Sequence, residues 1–140
     1  MNELHDIEEL QSILTLYEKA KGYLAGFKWC LGIANGWYDP KFCVFDKVGV
    51  FRLEIKPIDE TVDKLIWVIV GDLPSVYLDA GIKTSKQALT IYCELMREWA
   101  DDVIQCNDLN NSYPVQAEPT LENAQLLIKK IEFIRIELLS

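Results

Sequence analysis

The chain has 140 residues, 50% of them hydrophobic and 11% aromatic, and a formal net charge of −8. That is enough apolar material for one globular domain, residues 1–140, with a sizeable core, and it excludes a disordered tail. The negative balance argues against direct nucleic-acid binding, which rests on Lys and Arg neutralising phosphates; it reads first as a solubility feature, and beside that as a charge that would attract a basic partner.

The opening stretch, MNELHDIEELQ, is acidic and amphipathic. It lacks the basic start and apolar core of a signal peptide. No run of 18 apolar residues follows, so a cytoplasmic protein without a membrane span is expected. Leu4, Ile7, Leu10, Leu14 and Tyr17 recur at helical spacing and predict a first helix over 3–20. Glu3, Asp6, Glu8 and Glu9 complement the dipole at its start, and Gly22 ends it. The aromatic stretch YLAGFKWCLGIANGWYD predicts a second helix from about Tyr23 to Ala34. Gly26, Gly32 and Gly36 interrupt it and permit close approach of a neighbour, and NGWYDP then forms a loop.

From Phe42 the pattern turns to β-formers, and FCVF and VFRLEI read as strands. In the second, Phe51, Leu53 and Ile55 alternate with Arg52, Glu54 and Lys56, as a half-exposed strand requires. KPIDETVD turns the chain, and the unbroken apolar run of KLIWVIV predicts a central strand covered on both faces. Short connections imply an antiparallel meander. Thr84 and Gln87 match a capping box ahead of a long helix over 85–105, whose stripe is Ala88, Ile91, Tyr92, Leu95, Trp99, Val103 and Ile104. After the polar loop NDLNNSYPVQAEP, Thr120 caps a last helix to about Leu138. Leu121, Ala124, Leu127, Ile128, Ile131 and Ile134 line one face. Leu126, Phe133 and Ile136 widen it, so cover on more than one side is expected. The fold class is α+β: a small antiparallel sheet of two or three strands packed with about four α-helices.

Four cysteines stand at 30, 43, 93 and 106. None share Cys-x-x-Cys spacing, so no zinc site is expected, and all four read as reduced, buried small hydrophobes. His5 is the single histidine and falls in the first helical turn, where a catalytic base would not be held firmly. The glycines at 22, 26, 32 and 36 sit in a helical pattern and not after a strand, so no phosphate-binding loop and no cofactor is implied. Carboxylates remain: Asp72 and Asp79 flank the Pro74 turn, and Asp39 lies in the aromatic loop. Asp72 reads first as a turn former whose side chain bonds nearby backbone amides. An enzyme using Asp72 or Asp39 is the alternative.

On the long helix Glu94, Glu98, Asp101 and Gln105 fall at i, i+4, i+7 and i+11, with Asp102 beside them, opposite the Trp99 face. Arg97 is placed to pair with Asp101 or Glu94. This stripe is either a solvated face or a docking strip for a basic protein. Trp37 and Tyr38 are either interface anchors or folded back onto the core.

Three blocks, IWVIVGDLPSVYL, ALTIYCELMREWADDVI and YPVQAEPTLENAQLLIKKIEFIR, together resemble a family of small bacterial proteins. Some of its relatives look like immunity proteins of polymorphic-toxin systems, contact-dependent growth inhibition among them. The resemblance spans about Trp29 to Arg135 and carries no catalytic motif. It implies a non-enzymatic protein that neutralises a cognate toxin, such as a basic RNase, by covering its active-site surface. An acidic chain suits such a partner. Candidate contacts are Glu94, Glu98, Asp101, Asp102, Asp72, Asp79, Trp37 and Tyr38. An adaptor or homo-oligomer module is a further alternative.

Overall fold

The computed structural model describes residues 3–44, 47–110, 114–115 and 117–140, with side chains from Ile7 onward. The side chains of Glu3, Leu4, His5 and Asp6, the last residue of FCVF (Phe45) and residues 111–113 and 116 of the polar loop therefore lie outside the described set. In chain order the elements are helix α1 (Glu3–Ala25), strand β1 (Cys30–Tyr38), a 3-10 turn (Pro40–Phe42), and strands β2 (Val48–Pro57), β3 (Leu65–Gly71) and β4 (Val76–Leu78). Helices α2 (Ser85–Ile104) and α3 (Leu121–Ile134) follow, and a π-helical turn (Arg135–Leu139) closes the chain. The strands form one antiparallel sheet in the order β1-β2-β3-β4.

Strand alternation divides the core in two. Val48, Val50, Trp67 and Ile69 point to the face covered by α2 and α3. Phe51, Leu53, Ile55, Ile66, Val68 and Val70 point to the face covered by α1. β3 is buried on both faces, as its unbroken apolar run requires. β2 is also central, so Arg52 and Glu54 are half-buried and Lys56 alone of its three charged residues is exposed.

Among the described residues the sheet has four strands, not two or three, and there are three α-helices, not about four. The helix expected over 23–34 does not form. α1 runs through Gly22, where a side chain would meet open space, and continues to Ala25 because Leu24 packs beyond it. A mid-helix glycine costs only about 1 kcal/mol against alanine, which this packing outweighs. Cys30–Tyr38 then pairs with β2 as an edge strand, so NGWY is strand and not loop. Gly36 does permit close approach: a Cβ there would lie 2.7 Å from a ring carbon of Tyr17 and 2.9 Å from Leu53. The neighbour is α1 crossing the sheet.

The described part of FCVF, residues 42–44, is not a strand. Asp39 caps the 3-10 turn, Pro40 starts it, and Val44 makes an isolated bridge to Val48. β4 has three residues and no alternating run long enough to announce it.

Helix faces are also rotated from expectation. α1 buries Ile13, Leu16, Ala20 and Leu24, while Ile7, Leu10 and Leu14 face outward. The helix carries two apolar stripes, and the one containing the small Ala20 lies against the sheet. α2 buries Ala88, Leu89, Tyr92, Cys93, Met96, Trp99 and Ala100. Ile91, Leu95 and Val103 are half-buried and Ile104 is exposed. Ala88, Cys93 and Ala100 are small enough for the sheet and α3 to approach α2 closely. α3 is covered on one side: Leu121 and Leu126 are exposed, as is Ile136 in the π-helical turn that follows.

Helix ends follow local chemistry. Thr84 accepts a hydrogen bond from the Gln87 amide at 3.1 Å, and the Gln87 side chain accepts one from the Lys83 amide at 3.0 Å. Thr120 accepts from the Asn123 amide at 3.2 Å. At the far end of α2, the Asn107 amide donates to Asp102 O and the Cys106 amide to Val103 O, a Schellman closure. Cys106 takes φ +57° there, the left-handed conformation usually given to glycine. All four cysteines are free, but they are not all buried: Cys30 and Cys93 are, Cys43 is partly so, and Cys106 is exposed.

Candidate interaction surfaces

The outward face of α2 places Glu94 and Glu98 in solvent, with Asp101 and Asp102 half-buried beside them. Arg97 donates from Nε to Asp101 at 3.2 Å and from its terminal nitrogen to Glu132 of α3 at 3.3 Å. It therefore clamps α2 to α3 and leaves Glu94 unpaired. Asp102 and Gln105 both accept from the Asn107 side chain, at 3.2 Å and 3.1 Å, and are engaged in closing the helix. Among the described residues no cation pairs with Glu94 or Glu98. The stripe thus resolves into two free carboxylates and three groups with intramolecular work.

Trp37 and Tyr38 are consecutive in a strand, so they leave the sheet on opposite sides. Trp37 lies in register with Arg52 and Trp67, on the α2 side, and is 52% exposed. The Arg52 guanidinium sits 5.3 Å from the ring centroid of Trp67. Tyr38 lies in register with Phe51 on the α1 side, with ring centroids 6.1 Å apart, and is 42% exposed. Neither ring is folded into a core, and no single flat partner meets both.

Asp72 does not bond nearby amides through its carboxylate. Its backbone amide donates to Lys47 O at 2.9 Å, and its exposed carboxylate pairs with Lys130 at 3.3 Å. The local-turn reading is corrected accordingly: Asp72 joins the end of β3 to α3. Asp79 accepts from the Gly81 amide at 3.0 Å, and Asp39 from the Lys41 amide at 3.0 Å, both as turn and cap groups. These carboxylates therefore have separate engagements, Asp72 with Lys130 of α3, Asp79 within its turn and Asp101 with Arg97 on α2.

Burial pushes the Cys93 thiol up to about 11 and raises that of Cys43, so both stay protonated at neutral pH, unlike a nucleophilic thiolate. Among the described residues, no three His, Cys, Asp or Glu side chains converge in an arrangement suited to a metal ion. No described helix is long and apolar enough to cross a membrane.

Two features had no linear signal. Ile7, Leu10 and Leu14 were legible as a stripe but not as an exposed one. Leu10 and Ile13 border a cleft of about 400 Å³ closed by Tyr38, Pro40 and Cys43. A second cavity, of about 200 Å³, lies where Lys47, Asp72, Lys129 and Lys130 surround Leu73 and Phe133, residues far apart in the chain. Comparison with protein-family models, curated proteins and solved structures gave no match.

Proposed function

We propose that this chain is an immunity-type inhibitor that binds a basic toxin, such as an RNase, and covers its active-site surface without performing chemistry itself. The observation that carries this reading is the pair of solvent-facing carboxylates Glu94 and Glu98, which have no cation partner among the described residues of a chain with net charge −8. Uncompensated charge on a rigid helix raises the encounter rate with a cationic surface, and apolar anchors then slow dissociation. Trp37 leaves the sheet on the α2 side and is the exposed aromatic suited to anchor that contact. A stable interface buries roughly 1,600 Å² in total, so the contact extends well beyond two glutamates. Asp101 and Asp102 lie beside them and contribute field more than direct pairing. Asp72 and Asp79 are committed to other partners and are secondary.

The deciding experiment is co-expression with the product of the neighbouring gene, read as growth and as co-purification. Restored growth together with a stoichiometric complex is expected. A neighbour that is harmless alone, or one whose toxicity is unchanged by this chain, defeats the reading.

A second reading, self-association, is favoured by one observation: Ile7, Leu10 and Leu14 present an apolar stripe to solvent on α1. Sedimentation across a hundredfold dilution distinguishes it. A dimer abolished by Leu10→Asp would place the second copy on α1, leaving α2 free for another partner.

A further inference from the structure

We infer that the cavity between the β3 end and α3 is a binding site for a small aromatic monocarboxylate. Its floor is apolar, with Leu73 and Phe133 among the lining side chains, and its rim carries Lys47, Lys129 and Lys130. The chain as a whole is strongly acidic, so three lysines against the single carboxylate of Asp72 around one opening make a local reversal of sign. They are not equivalent. Lys130 is occupied by Asp72 at 3.3 Å, whereas the described residues give Lys47 and Lys129 no carboxylate partner. Lys47 holds its ammonium 5.2 Å from the Phe133 ring centroid, at the junction of the charged rim and the apolar floor.

Each half of this arrangement excludes a ligand class. An inorganic anion would use the lysines and leave the floor wet. A neutral hydrocarbon would fill the floor and make no use of the charge. A cation would meet three lysines and one carboxylate already paired to Lys130, a net repulsion. An apolar group bearing one carboxylate satisfies both halves. Size narrows it further. The cavity measures about 200 Å³. An apolar cavity of about 150 Å³ accepts benzene, so this one holds a single ring with a short acid arm. Both lysines are at the surface, where each ion pair contributes modestly, so millimolar affinity is expected for a fragment of this size. The site is separate from Glu94 and Glu98, and its test does not depend on any toxin.

The test is a titration of the isotopically labelled full chain with phenylacetate, followed by backbone amide shifts. Saturable shifts centred on Lys47, Leu73 and Phe133 are expected, with phenylacetamide binding at least about fivefold more weakly because it lacks the charge. Inorganic phosphate should leave the Phe133 amide unmoved. The double variant Lys47→Gln/Lys129→Gln should keep the native spectrum elsewhere and lose at least about fivefold in affinity. Equal binding of acid and amide overturns the proposal, as does phosphate reproducing the phenylacetate shifts, or the absence of saturation by about 20 mM.

Discussion

A methyl group on the α-carbon of Gly71 would lie 2.1 Å from the carbonyl oxygen of Lys47. Gly71 also has φ +148°, where side chains are strained, so the end of β3 passes β2 at a distance only glycine allows. The same approach lets the Asp72 amide reach Lys47 O and the Lys19 ammonium reach Gly71 O at 2.6 Å. Gly71→Ala is therefore expected to cost about 3 kcal/mol or more in urea unfolding, since backbone must move to admit it. Gly22→Ala should do the reverse: it meets nothing within 4 Å in α1 and should stabilise by about 0.5–1 kcal/mol.

Cys106 occupies the position of the Schellman closure where a Cβ is disfavoured by about 1–2 kcal/mol. Cys106→Gly should raise stability by about 1 kcal/mol, part of the relief being offset by the entropy of a more flexible unfolded chain. In the unaltered protein Cys106 should be the first thiol modified by an aromatic disulfide reagent and Cys30 and Cys93 the last, as mass spectrometry of the timed products would record.

Alkaline conditions should weaken the fold through α2. Burial raises Cys93 to about 11 from an ordinary value near 9, and raises Tyr92 well above its ordinary 10. In both cases the folded state prefers the neutral form. The stability this represents is complete below the unfolded-state values and is lost as pH rises toward the folded ones, beginning near pH 9 for Cys93. Denaturation midpoints should fall between pH 9 and 11, and less steeply in Cys93→Ala. An unaltered slope in that variant would assign the loss to other groups. Tyr92→Phe removes the 2.9 Å bond to Pro74 O and should cost about 1 kcal/mol at neutral pH.

Asp72→Ala removes an ion pair whose carboxylate is 71% exposed. Its expected cost is below about 1 kcal/mol, smaller at high salt. A loss of several kcal/mol would show that Asp72 holds more than Lys130.

Glu94→Lys with Glu98→Lys should leave the unfolding midpoint nearly unchanged, within about 0.5 kcal/mol, because neither side chain has an ion-pair partner among the described residues. Stopped-flow association with the proposed basic partner should slow at low salt and converge with the parent at high salt. Equal rates at low salt would leave the α2 face as mere solvated surface.

The strands that were legible were those whose patterns depend on near neighbours: alternation in Phe51–Leu53–Ile55 and the continuous run ending at Val70. Caps at Thr84 and Thr120 were legible for the same reason. β1 was not, because CLGIANGWY has two register shifts and three small residues that erase a period of two. The rotation of α1 was not legible either: two stripes of similar hydrophobicity compete, and the choice is made by the sheet. At the surface, sequence placed Glu94, Glu98 and Asp101 on one face but could not tell that Arg97 would turn to Glu132. The lysine-rimmed cavity depends on β2 and α3 meeting, which no local pattern encodes.

The sheet separates two sets of buried side chains that have no member in common. One consequence concerns opening and not architecture. If α1 lifts away, Phe51, Leu53 and Val68 meet water, while Tyr92, Met96 and Trp99 stay dry behind the strands. The molecule therefore has a partial unfolding route confined to one side. Amides of α1 will exchange with solvent through that route, and those of α2 and β3 through loss of the whole fold.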